Sequence, residues 1–86
     1  MDIRPAQAEV LRLLEGSPIA SRDVAADIRQ SVAAGEVALA LDTLCSWIFE
    51  DSSSISREYF GRLAALAAEI GLEKWIGRLE GLVQDG

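Results

Sequence analysis

Eighty-six residues, half of them apolar, suffice for one small domain with a thin core and are too apolar for a disordered chain. A lone cysteine, Cys45, excludes an intrachain disulfide and a thiolate zinc site, and the lack of histidine removes Ser-His and Cys-His pairs, histidine bases and imidazole ligands. With 8 basic against 14 acidic residues and a formal charge of −6, the chain lacks the clustered cations that nucleic acid requires and suits a basic protein partner.

The periodicity is helical throughout, with no alternating strand pattern. A first helix is predicted over residues 5–15, where Val10, Leu13 and Leu14 share a face, Pro5 suits the first turn and Gly16 the C′ position. The connection GSPIAS follows, and either Ser17 or Ser21 suits the cap of a second helix. Val24, Ile28 and Val32 stack along that helix, and Gly35 ends it.

A third helix is predicted from Glu36 to Phe49, with Val37, Leu41, Leu44 and Ile48 as its inward stripe. Ser56 is a natural N-cap for the fourth, in which Tyr59, Leu63, Leu66 and Ile70 face inward up to Gly71. The last helix, over residues 73–83, uses Trp75, Ile76, Leu79 and Val83. Gly77 and Gly81 inside it cost about 1 kcal/mol each relative to Ala, which makes it the frailest element. Short connections imply antiparallel neighbours. The expected fold is all-α: one domain, residues 1–86, forming a small compact bundle of four to five short antiparallel helices.

No apolar run approaches about 18 residues, so no membrane span is expected. The opening MDIRPAQAEVLRLLEG has no basic segment leading into an apolar one, and a cytoplasmic protein is expected.

Catalytic constellations are scarce. Glu50 and Asp51 are adjacent, so they cannot face one another across a substrate as a glycosidase pair does. Lys74, the only lysine, reads as a solvated charge on an amphipathic helix. DSSSISRE lacks the alternating ligands and closing Glu of a calcium loop. Cys45 reads as a small buried hydrophobe, its nearest charges being the acids Asp42 and Glu50. Neither an enzyme nor a metal, cofactor or small-molecule site is expected. A DNA-reading helix-turn-helix is disfavoured as well, since the third helix has no basic residue.

That third helix is the informative element. At 100° per residue, Glu36, Asp42, Thr43, Ser46 and Glu50 fall within an arc of about 120°. Leu39 lies near the middle of the arc, and Trp47 and Phe49 flank it. Two readings stand: a narrow solvated strip, or a contact face in which carboxylates steer a partner and Leu39 with an aromatic edge anchors it. The helix ends on Glu50 and Asp51, the wrong sign for its dipole by about 0.3–1 kcal/mol, which leans toward the contact face. Candidate partner-binding residues are therefore Glu36, Leu39, Asp42, Glu50 and Asp51.

The segment AAGEVALALDTLCSWIFEDSSSISREYFGRLAALAAEIGLE resembles the MafI-type immunity proteins of bacterial polymorphic toxin systems. The matching positions are Gly35-Glu36, Ala40-Leu41, Leu44-Cys45, Trp47-Ile48, Glu50-Asp51, Ile55-Ser56 and Gly71-Leu72, covering residues 33–73. The run Ser52-Ser53-Ser54 departs from the shorter or more acidic turn of that pattern. The resemblance implies a non-catalytic cytoplasmic protein that binds a cognate toxin's C-terminal domain, with 1:1 stoichiometry. Such toxins are often nucleases, whose basic clefts an acidic inhibitor covers by imitating nucleic-acid charge. The alternative is a small helical adaptor that associates with itself through the third helix. Neither reading involves nucleic acid directly or a membrane.

Overall fold

A computed structural model describes residues 2–84. Five helices follow one another: α1 (Arg4–Glu15), α2 (Arg22–Ala33), α3 (Val37–Glu50), α4 (Arg57–Ile70) and α5 (Lys74–Glu80). Two short strands, β1 (Ile55–Ser56) and β2 (Val83–Gln84), pair in parallel, Ile55 opposite Val83 and Ser56 opposite Gln84.

Local chemistry sets the helix ends. Ile3 cannot cap α1, so the neighbouring Asp2 carboxylate accepts the Arg4 backbone N–H at 3.0 Å and binds its guanidinium at 2.9 Å. That pairing holds the Asp2 carboxyl below the ordinary carboxylate range. Ser21, not Ser17, caps α2, accepting from the N–H of Val24. The Ser17 hydroxyl is already committed, donating to the Leu14 carbonyl at 2.7 Å. Ser56 caps α4 by accepting the Tyr59 N–H at 3.0 Å. Ser56→Ala is expected to cost about 1 kcal/mol, the usual worth of such a cap, in urea unfolding followed by circular dichroism. A loss below about 0.3 kcal/mol would show that β1 alone fixes this entry.

Left-handed residues close three of the turns, the one after α4 at Gly71 among them. Gly35, at φ 80°, follows α2; its N–H reaches Val32 O, and the Glu36 N–H reaches Ser31 O. The same double closure ends α3, where the Ser52 N–H reaches Phe49 O and the Ser53 N–H reaches Ile48 O. There a serine, Ser52 at φ 49°, occupies the left-handed position that glycine usually takes. This is the structural outcome of the serine run.

Each helix sends a fully buried side chain to one core: Leu13, Ile28, Leu41, Leu44, Ile48, Leu63 and Leu79. Complete burial of such a side chain favours folding by about 1.5–3 kcal/mol. Helices α2 and α3 pack most extensively; α1 lies against α2, α3 and α4, and α5 bridges α4 and α3. Although consecutive, α3 and α4 are not a principal packing pair: each meets α1 instead. Tyr59 ties α4 to α1, its hydroxyl donating to Leu13 O at 2.6 Å. That carbonyl belongs to the last turn of α1, and its usual helical donor, the Ser17 N–H, is bonded to Leu14 O.

The last helix is shorter than its sequence pattern. It stops at Glu80, with Gly81 as C-cap, and Val83 lies in β2. The Leu82 carbonyl accepts the Ile55 N–H at 3.1 Å, so this stretch is extended to meet β1. No helix among the described residues is long and apolar enough to cross a membrane.

Candidate functional site

Helix α3 packs against α2, α1 and α5. Leu39, in the middle of the arc, is 51% exposed, and Trp47 and Phe49 on its flanks are 42% and 43% exposed. All three are large apolar side chains on one helix in a chain of only 86 residues. The Thr43 hydroxyl donates to Leu39 O at 2.9 Å, one turn back, so its polar group is committed to the backbone.

The five predicted contact residues divide into two groups. Glu36 stands exposed at the N-cap of α3, Glu50 and Asp51 stand exposed at its C-terminus, and none of the three makes an ion pair among the described residues. Leu39 lies open between them. Asp42 is different, being engaged by α5: one carboxylate oxygen accepts the Trp75 indole N–H at 2.8 Å and lies 3.5 Å from the Lys74 ammonium.

Trp75 is the hub of this edge. It is buried, Phe49 meets it edge-to-face at 6.0 Å and 62°, and the cations of Lys74 and Arg78 lie 5.6 and 5.2 Å from its ring centre. Such distances lie within cation–π range. Lys74 is thus a paired charge rather than a merely solvated one. The Trp75 cluster escapes a helix-by-helix reading because its partners lie 33 residues apart in the chain. Trp47 and Phe49 had one sequence signal, their position at the borders of the polar arc.

Electrostatically, α3 contributes carboxylates and no cation. Cys45 points the other way, into the core, where burial first and Asp42 second push its thiol up to about 12. A groove lies elsewhere, between α1 and α4, with a volume of about 350 Å³ and a lining that includes Glu9, Arg12, Arg62 and Glu69. Two of its cations share one acid, Glu9 pairing with Arg62 at 2.7 Å and with Arg12 at 3.8 Å. No group of three or more Cys, Asp or Glu side chains among the described residues is placed to hold a metal ion.

Comparison with protein-family models, curated proteins and solved structures finds no match to this chain.

Proposed function

We propose that this chain is an immunity protein that binds the C-terminal domain of a cognate bacterial polymorphic or contact-dependent growth inhibition toxin, 1:1 in the cytoplasm, and blocks it. One observation carries the reading: an exposed helix face with Leu39 and Trp47 open between the carboxylates of Glu36, Glu50 and Asp51, which are unpaired among the described residues, and no cation on that helix. The family resemblance of residues 33–73 supplies the class of partner. A nuclease fits best within it, because its substrate requires a basic surface.

Co-expression with the C-terminal toxin domain encoded by the adjoining gene is the direct test. Growth is restored if the reading holds, and continued killing removes it. The charged residues have their own test. Reversing Glu50 and Asp51 to lysine is expected to slow association with that domain by about tenfold at low salt and to flatten its salt dependence. Unchanged association kinetics across salt would remove the steering role.

Self-association is the second reading, favoured by the same exposed Leu39 and Trp47. Two copies meeting through α3 would set carboxylates against carboxylates with no cation from either helix. A monomer in sedimentation is the expected result, and a stable dimer lost on Trp47→Ala would favour the adaptor.

A further inference from the structure

The carboxylates of α3 are not a continuous row. Asp42, the one in the middle of the helix, is taken by Trp75 and Lys74, which leaves Glu36 at one end and Glu50 with Asp51 at the other. At 1.5 Å rise per residue, Glu36 and Glu50 are separated by about 21 Å of helix. A nucleic-acid strand of that length carries about six phosphates, at one per 3.4 Å. A charge at each end is a poor copy of such a row.

Between those ends the most exposed side chains are apolar. Leu39, Thr43 and Trp47 follow at four-residue steps along one line of the helix, and the Thr43 hydroxyl is tied to Leu39 O. The outer two are 51% and 42% exposed. Large side chains at the centre of a patch with charges at its edge are the arrangement in which a few central residues carry most of the binding energy and the charges govern encounter.

Resting on the immunity reading, we infer that the toxin-facing surface is anchored at its centre by Leu39 and Trp47 and steered from its ends by Glu36, Glu50 and Asp51, the central Asp42 being paired with Lys74. The partner accordingly offers an apolar recess flanked by basic side chains about 20 Å apart. It is a protein-recognition patch, not an imitation of a phosphate backbone. A second copy of this chain lacks the required cations on its own α3.

Binding kinetics with the purified toxin domain encoded by the adjoining gene test this. Trp47→Ala and Leu39→Ala are each expected to raise the dissociation rate by about tenfold or more and to leave association within about threefold. The neutral triple variant Glu36→Gln/Glu50→Gln/Asp51→Asn is expected to do the reverse, slowing association by about tenfold at low salt with dissociation nearly unchanged. Both anchors are exposed, so the variants should keep the wild-type circular dichroism, which is measured alongside. A complex that dissociates faster in the charge variant than in either anchor variant overturns the inference and leaves the immunity reading intact. If the wild-type protein forms no complex with the domain, both are overturned.

Discussion

Trp75→Ala is expected to destabilise the protein by about 3–5 kcal/mol, the usual range for deleting a buried tryptophan side chain. Small domains have total stabilities of about 5–15 kcal/mol, so the loss is a large share of the whole. Helix α5 has seven residues, no side-chain N-cap and a glycine, Gly77, in its middle. A helix that short does not persist alone in water. Its hold on the bundle is the burial of Trp75 and Leu79, and Trp75 adds the indole bond to Asp42 and the edge contact with Phe49. The strand that follows α5 is paired with β1, so loosening Trp75 also loosens the entry to α4. Trp75→Phe separates the contributions. It keeps a ring against Phe49 and loses the N–H bond, whose removal from the half-exposed Asp42 costs about 0.5–1.5 kcal/mol. Trp47 remains as the fluorescent reporter in both variants. Urea unfolding that places Trp75→Ala within 1 kcal/mol of wild type, on the order of an exposed substitution, would show that α5 is an ornament to a four-helix core.

How far the sequence discloses this structure depends on the range of the interaction involved. The inward stripes of α1 to α4 are legible because a helical period is local, and Ser56, Gly35 and Gly71 mark their ends through single-residue chemistry. Ser17 against Ser21 is undecidable from composition, since the choice turns on one hydroxyl bonding backward to Leu14 O. The end of α5 is misread because Val83 fits a helical stripe and a strand equally well. Only its non-local partner Ile55, 28 positions earlier, draws it into a strand, and two residues are too few to show alternation. The contact face follows the same division. Its arc of acids around Leu39 is a property of one helix and can be computed from spacing. Which of those acids stays free is a property of two, because α5 lands on the Asp42 side and takes that carboxylate. A helix as apolar as α3 has several possible inward faces, so the exposure of Trp47 and Phe49 is fixed only when α2 and α5 are in place.

Raising the pH above about 9 is expected to destabilise the fold well before its arginines titrate. Cys45 and Tyr59 are both buried in the core. Burial, and then Asp42, raise the Cys45 thiol from 9.0 to about 12. The Tyr59 phenol is also raised above its ordinary 10.0, by burial first and by Cys45 second, with Arg62 opposing. In the unfolded chain both groups ionise near their ordinary values, while the folded protein keeps them protonated. The unfolded state therefore binds fewer protons at alkaline pH, and stability falls as pH rises. The contribution is whole below about pH 9, declines by up to about 1.4 kcal/mol per pH unit once the Cys45 thiol ionises in the unfolded chain, and declines about twice as steeply once Tyr59 joins it near pH 10. Urea midpoints from pH 7 to 11 measure the slope. Cys45→Ala should start lower, having lost a buried sulfur, yet remain flat up to about pH 10, where Tyr59 takes over. Tyr59→Phe should also start lower, because Leu13 O loses its 2.6 Å donor, and should keep the first decline while losing the second. Cys45 raises the Tyr59 phenol only once the thiol is itself ionised, at about 12 in the folded protein, so across this range the two effects are expected to add and the double variant to be level. A wild-type profile that is level from pH 8 to 10.5, or a Cys45→Ala profile parallel to it, would mean that the thiol reaches solvent, against its complete burial.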